Sequence, residues 1–425
     1  MPGVEGNAQS FKVAALTLEL DVKQPEQTFK MKLGSPLSGS IKEQQFNLSN
    51  LSVTVSATGE KLPNKSVSSE MKGTVQVDAI KQNVQANFAG GLLQSQVKAK
   101  VGVKGFTNPV IKFDVDVDQF DADLYLPKKS TKTAKTQAKE PEQPLDLSAL
   151  RDLNLDGSLR IGTLKVMNVK STQLRVDVKA VNGLLNINPL SAKLYQGSVN
   201  GSLSVSAKGT PSIAIIQNLS NVNVAPLIKD AANMDMIEGK GNVGVNLTMQ
   251  GNTVSAMKKA LNGSVSVNLA NGAIKGINLT KLVQGIQNLG TDTKAQTLGV
   301  DKTEKTEFSE FKANFKVRNG VAHNDDLSVK STVLRVSGNG DIDIGNDSMN
   351  YNAKAALAKT EQGRTATLPV NVSGSFDALR FKVDYGALLV DVAKQRIDEK
   401  KEKVKEDAKA RLQEELQKSL KGLFK

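Results

Sequence analysis

Apolar residues recur at every second position in one segment after another of this chain. Leu51, Val53, Val55 and Ala57 follow this spacing, as do Val75, Val77 and Ala79, then Val97, Ala99, Val101 and Val103. It returns at Phe113, Val115 and Val117, at Val176, Val178 and Ala180, and at Leu203, Val205 and Ala207. Later come Val243, Val245 and Leu247; Val265, Val267 and Leu269; Phe311, Ala313, Phe315 and Val317. Ile342 and Ile344, Val370 and Val372, and Phe381 and Val383 close the series. Successive side chains of a strand point to opposite faces, so each segment predicts a strand with one apolar and one polar face. Turn residues separate them: Asn182-Gly183, Gly201, Asn262-Gly263, Asn319-Gly320, Gly338 and Gly374. The fold this predicts is mostly β: an elongated, curled antiparallel sheet, open as a groove and built from repeated strand units. One short inserted helix and a long C-terminal amphipathic helix complete it.

A sheet with one oily side must bury that side against something. Helical patterns are few: one near 277–289, a short one at 224–234, and the tail. Either the strands close into a sandwich or barrel, or the sheet forms a trough whose ligand supplies the missing apolar partner. An acyl lipid suits the second option, because each buried methylene contributes about 0.8 kcal/mol and needs no specific contact. The candidate lining residues are Phe113, Val115, Val117, Val176, Val178, Leu203, Val205, Val243, Val245, Val265, Val267, Phe315, Val317, Ile342, Ile344, Val370 and Val372.

Chemistry of other kinds finds little to work with. The 425 residues include no cysteine, no tryptophan and one histidine, His323, beside Asp325 and Asp326. A single histidine next to a turn gives neither a triad nor a metal ligand set. The run DVDVDQFDAD (114–123) alternates Asp114, Asp116 and Asp118 with Val115 and Val117, so it reads as a solvated strand face. It lacks the glycine and bidentate glutamate of a calcium loop. No phosphate-cradling glycine loop or nucleophile elbow follows a strand. No enzyme activity, cofactor or metal is expected. The net charge of +13 is dispersed as alternating strand lysines such as Lys98 and Lys100, or gathered in a linker and a tail. Without interleaved aromatics it makes no nucleic-acid platform, whereas dispersed lysines suit an anionic lipid surface. No run of 18 apolar residues is present, and the first residues lack the pattern of a signal peptide.

The stretch VNLANGAIKGINLTKLVQGI (267–286) changes period. Val265, Val267 and Leu269 alternate, Asn271-Gly272 is expected to turn the chain, and from Asn278 the spacing becomes helical through Leu279, Leu282, Val283 and Ile286. An internal repeat surrounds it. Residues 176–205 align without gaps on 313–342, placing Asn182-Gly183 on Asn319-Gly320, Leu190 on Leu327 and Gly201 on Gly338. Residues 155–174 likewise resemble 261–282, and the copies differ by an insertion after Leu282. The helix therefore decorates one copy of a repeated β unit, as a plug or lid over an oily opening. Residues 127–144, PKKSTKTAKTQAKEPEQP, have no apolar period and read as a lysine-rich linker. From Tyr385 onward the pattern is a charged amphipathic helix with many Glu–Lys pairs four apart.

Three stretches taken in order resemble the C-terminal region of the AsmA family: NGAIKGINLTKLVQGI, then FKANFKVRNGVAHNDDLSVKSTVLRVSGNGDIDI, then LPVNVSGSFDALRFKVDYGALL. The likeness is good over 145–395 and looser before it. It implies a Gram-negative envelope protein, periplasmic and anchored in the inner membrane through a segment absent here, with lipid-transfer architecture and a part in outer-membrane integrity. The organisation expected is a β-sheet segment at 1–126 continuing from a missing N-terminal part, a linker at 127–146, an AsmA-like β-groove at 147–384 with its helix about 278–290, and the terminal helix at 385–425. The expected partners are phospholipid or another acyl lipid, a membrane reached through the missing anchor with the C-terminal helix as a further contact, and envelope proteins, with no nucleic acid. The function expected is non-enzymatic binding or conduction of acyl chains along the groove between the two membranes. The alternative is an assembly scaffold with a closed β core.

Overall fold

The computed structural model describes residues 3–60, 62, 65–125, 142, 144–285, 296–298, 301–357, 367–384, 397 and 400–413. They are mostly strand and divide into two units. The first takes in Met1–Asp235, Lys240–Val265 and Val317–Gly320; the second takes in Met236–Gly239, Ser266–Lys316 and Val321–Lys425. The linker expected at 127–146 lies outside the described residues except for 142 and 144–146.

In the first unit, β1 (Val4–Gly6), β2 (Phe11–Gln24), β3 (Gln27–Ser40) and β4 (Gln45–Gly59) pair antiparallel in chain order. The meander continues through β5 (Ser66–Asp78), β6 (Asn83–Leu92), β7 (Ser95–Lys104) and β8 (Val110–Asp121). A second antiparallel run joins β9 (Leu155–Val166), β10 (Val169–Val181), β11 (Leu184–Leu194), β12 (Gly197–Ser206), β13 (Ser212–Asn223) and β14 (Ile237–Gln250). The two runs meet at β8 and β9, which are parallel, with Phe113 opposite Gly157 and Val115 opposite Leu159. A parallel pair needs a connection that carries the chain back to the starting end of the strand, and residues 122–154, with α1 (Ala149–Asp152), provide it.

Among the described residues the strands of this sheet form a single open layer, with α1 against β10 and β11 and the helix Val224–Ala232 against β10, and no pairing joins β1 or β2 to β14. Yet Leu51, Ala86, Val97, Ile161, Val176 and Ala180 are buried. A lone layer shields its own face only by curling, so the apolar side is concave. Bulges supply bends: the register shifts between Gly34 and Leu37, Leu48 and Leu51, Thr172 and Arg175, and Ile187 and Leu190.

The second unit carries most of β15 (Asn262–Gly276), then β16 (Gln296–Leu298), β17 (Asp301–Arg318), β18 (Val321–Lys330), β19 (Leu334–Asp343), β20 (Ser348–Leu357), β21 (Thr367–Ser375) and β22 (Arg380–Val383). Strands β18 to β22 form an antiparallel meander, and β16 adds to β22. The helix expected at 224–234 is α2 (Val224–Ala232). A short α3 (Val254–Lys259), capped by the Thr253 hydroxyl accepting the Ala256 N–H at 3.1 Å, was not signalled by any apolar period. The inserted helix is α4 (Leu279–Gly285); residues 286–290 lie outside the described residues. Of the C-terminal helix, 400–413 (α5) is described, and every residue in it is exposed.

The turn signals divide into two kinds. Asn182-Gly183 and Asn319-Gly320 are hairpin turns with both residues at positive φ (49° and 75°, 48° and 81°). Gly201 and Gly338 do not turn the chain. They lie inside β12 and β19, opposite Leu190 and Leu327 at the bulges of the facing strands. Gly374 likewise lies within β21, and Asn262-Gly263 opens β15. Asn271-Gly272, expected to turn the chain, instead sits within β15. Asn271 takes φ 50°, and a Cβ on Gly272 would stand 2.0 Å from the Glu238 carbonyl oxygen, so a neighbouring backbone holds the strand on course.

The internal repeat is structural. Strands β11 and β12 match β18 and β19 in starting position, turn and register. The shift between Ile187 and Leu190 falls at the repeat equivalents Asn324 and Leu327.

Candidate functional site

Directly opposed residues of a ladder share a face, so register traces the apolar side across the sheet. One row runs from β2 to β14: Val13, Leu37, Leu48, Val75, Ala86, Val101, Phe113, Gly157, Val178, Ile187, Leu203, Ile215 and Leu247, each opposite the next. A second row two residues away spans the same strands: Phe11, Gly39, Phe46, Val77, Val84, Val103, Ile111, Leu155, Ala180, Leu185, Val205, Ile213 and Met249. On the other side of the first, Leu51, Gly73, Phe88, Ala99, Val115, Leu159, Val176, Leu190 and Gly201 form a shorter row. A fourth runs through Leu18, Leu33, Val53, Met71, Gly90, Val97, Val117, Ile161 and Leu174.

No polar residue interrupts the first two rows, whereas the third ends where Gln217 stands opposite Gly201. With strands about 4.8 Å apart, the twelve steps from β2 to β14 give an apolar face roughly 58 Å long, measured along the sheet.

The predicted lining residues of the first unit fall on this face. Phe113, Val178 and Leu203 stand in the first row, Val205 in the second, Val115 and Val176 in the third, and Val117 in the fourth. Val243, opposite Leu219, and Val245, opposite Gln217, continue the alternation of Leu247 and Met249. Val176 is buried and the others are half-buried, as is Val265 on β15, while Val317 is buried. At the β2 edge the face opens to water: Leu16, Leu18, Leu20 and Val22 are 39%, 54%, 44% and 38% exposed.

The second unit buries its apolar face far more completely. Val329, Val336, Ala355 and Leu368 form a row with exposures of 2%, 5%, 0% and 0%. Val370 is buried, and Val267, Phe315, Ile342, Ile344 and Val372 are half-buried. Helix α4 packs on β20 with Leu279 buried and Leu282 half-buried; the side chain of Val283 and the whole of Ile286 lie outside the described residues. Asn278 caps the helix, its side chain accepting the Lys281 N–H at 3.0 Å. The Leu279 N–H donates to Thr306 Oγ1 at 3.0 Å, and that hydroxyl donates to the Ile277 carbonyl at 2.8 Å.

Polar groups pair off outside the apolar rows. Arg160 of β9 binds Asp114 and Asp116 of β8, and Lys98 and Lys100 stand opposite the same two acids on β7. The hydrogen bond from Arg160 lowers the Asp116 carboxyl below its ordinary range, helped by the charges of Arg160, Lys98 and Lys100. His323 and its two neighbouring acids do not converge: His323 Nδ1 meets Asp341 at 2.7 Å on the surface, while Asp326 accepts the Asn314 N–H at 2.8 Å. No His/Asp/Glu cluster among the described residues has the make-up of a metal site. One buried polar cluster was not foreseen. Asn324, 1% exposed, accepts from the Tyr351 hydroxyl and donates to the Asn314 carbonyl at 2.8 Å.

Residues 126–327, which run from the crossing connection through β9 to most of β18, match the model of the AsmA family. That match takes in just under half of the chain. Protein AsmA of Escherichia coli (strain K12) is 21% identical to it over 272 residues, which is 60% of this chain and 43% of that relative. The chain thus spans less than half the length of the relative it matches. No solved structure matches it. The AsmA-like span contains Val176, Val178, Leu203, Val205, Val243 and Val245. Phe113, Val115 and Val117 lie before it, and Ile342, Ile344, Val370 and Val372 lie after it. Of the likeness expected over 145–395, the family model covers the part as far as 327.

Proposed function

We propose that this protein is a non-enzymatic component of the Gram-negative envelope that holds phospholipid acyl chains along the concave apolar face of its first unit. The observation that carries the reading is the continuity of that face: two rows of apolar residues cross from β2 to β14 with no second sheet over them among the described residues. A leaflet is about 15 Å of hydrocarbon, half of a bilayer core of about 30 Å. A face roughly 58 Å long therefore suits several acyl chains in file rather than one pocketed molecule. Aliphatic contact is non-directional, so a chain can slide without breaking specific bonds. Kinship with AsmA supports an envelope setting, with a periplasmic body attached to the inner membrane and lipid passing toward the outer one. The densely buried second unit favours a different role for that part, as a closed scaffold.

The test is native mass spectrometry, with lipid extraction, of protein purified from a Gram-negative host. Wild type is expected to carry phospholipid. Val178→Asp with Leu203→Asp, both half-buried on the apolar face, is expected to empty it, whereas Lys179→Glu on the opposite face leaves occupancy unchanged. Equal loss from both faces, or a wild type free of lipid, overturns the reading.

A further inference from the structure

Helix α5 stands open to water along its whole described length: every residue from 400 to 413 is exposed, Val404 at 68% and Leu412 at 62%. Its sequence, KKEKVKEDAKARLQ, is nonetheless not polar all round. In an α-helix each residue advances about 100° around the axis. With Val404 as origin, Ala408 falls at about 40° and Leu412 at about 80°, so the three share one narrow stripe. Ile397, seven residues before Val404 and 54% exposed, keeps that spacing.

The charges around this stripe are sorted. Lys400 and Arg411 border it on one side, Lys401 lies within it, and Lys405 and Lys409 border the other side at about 100° and 140°. Glu402 and Glu406 stand opposite the stripe, at about 160° and 200°. Asp407 is the one acid of α5 placed beside the bordering cations. Lys405 reaches Glu402 at 3.6 Å, a solvent-screened contact that leaves both side chains largely exposed.

This sorting decides what can cover the stripe. A second copy packed against it would bring the bordering cations of two helices together, the reverse of coiled-coil flanks that set Glu against Lys. An anionic lipid surface is complementary: the aliphatic groups reach the acyl boundary while the long Lys and Arg stems lie along it and put their charges among the phosphates. So few aliphatic side chains hold a bilayer weakly by themselves, and attraction to anionic head groups supplies the rest. We propose that α5 lies in the plane of an anionic phospholipid surface, with Val404, Ala408 and Leu412 facing the lipid and Glu402 and Glu406 facing water. This contact is independent of the acyl-lipid face of the first unit.

The chain has no cysteine, so a single introduced one can carry a polarity-sensitive dye. Ala408→Cys and Ala410→Cys, about 200° apart around the axis, are labelled in the full chain. Vesicles of equal parts phosphatidylglycerol and phosphatidylcholine are expected to shift the emission at 408 to the blue and leave 410 in water; pure phosphatidylcholine should shift neither. Adding Lys405→Glu/Glu406→Lys to the 408 protein keeps the net charge but moves a cation off the border of the stripe. It should weaken vesicle binding about tenfold or more with an unchanged thermal midpoint. Equal shifts at 408 and 410, or none at 408, overturn the in-plane helix. Undiminished binding by the exchanged protein assigns the attraction to net charge and overturns the proposal. A response to pure phosphatidylcholine overturns the anionic assignment. A blue shift at 408 that grows with protein concentration without vesicles makes a second copy the occupant and overturns the membrane contact.

Discussion

The Phe113 ring lies over Gly157, the residue directly opposite it across the parallel junction of β8 and β9. A Cβ at Gly157 would stand 2.2 Å from the Phe113 carbonyl oxygen and 2.7 Å from ring atoms Cγ and Cδ1. The aromatic side chain thus fills the place that a side chain would occupy at 157, and the apolar row passes over the junction unbroken. Gly157→Val is expected to destabilise the protein by about 1–3 kcal/mol through overpacking, read as a lower denaturant midpoint. Phe113→Ala added to it should restore only part of the loss, because the carbonyl contact remains. A Gly157→Val protein as stable as wild type would refute the close approach.

The Asn324–Tyr351 pair occupies a face that is otherwise apolar. In the first repeat copy the position of Asn324 is Ile187, which packs in the aliphatic row. Tyr351→Phe should cost about 1 kcal/mol, since Asn324 keeps the Leu327 N–H as a donor at 3.2 Å. Asn324→Ile should cost more, stranding the Tyr351 hydroxyl, and the double variant should recover part of that difference in a double-mutant cycle. Burial, with the charges of Asp326 and Asp325, raises the Tyr351 pKa. A raised folded pKa keeps its full contribution below the unfolded value of about 10 and loses it as pH climbs beyond that. Alkaline unfolding should therefore set in above about pH 10 and be milder in Tyr351→Phe. Identical alkaline profiles would remove Tyr351 from the account.

Much of this architecture is legible because period-two alternation is local. Each strand announces its own faces, and the copy at 313–342 repeats the bulge of 176–205 because the same residue pattern recurs. What escapes the sequence is set by distant neighbours. Asn271-Gly272 and Asn182-Gly183 are the same dipeptide, yet the Glu238 backbone keeps the first in a strand while the second turns. The parallel junction depends on where residues 122–154 return the chain, so Arg160 cannot be matched to Asp114 and Asp116 from spacing.

Thr306 decides how α4 is held. Its hydroxyl accepts from Leu279 at the helix start and donates to the Ile277 carbonyl just before it, and Lys281 adds an ion pair to Glu304 at 2.6 Å. Excising 278–305 is not a clean test of this helix, because it would also remove β16 from its pairing with β22. Thr306→Val keeps the shape and deletes both hydrogen bonds, leaving a buried N–H and a buried carbonyl unpaired. The expected loss is about 2 kcal/mol, with faster amide exchange concentrated in α4. Thr306→Ser keeps the hydroxyl and should stay close to wild type. If valine and serine behave alike, the hydroxyl is not what docks the helix, and packing of Leu279 alone must account for it.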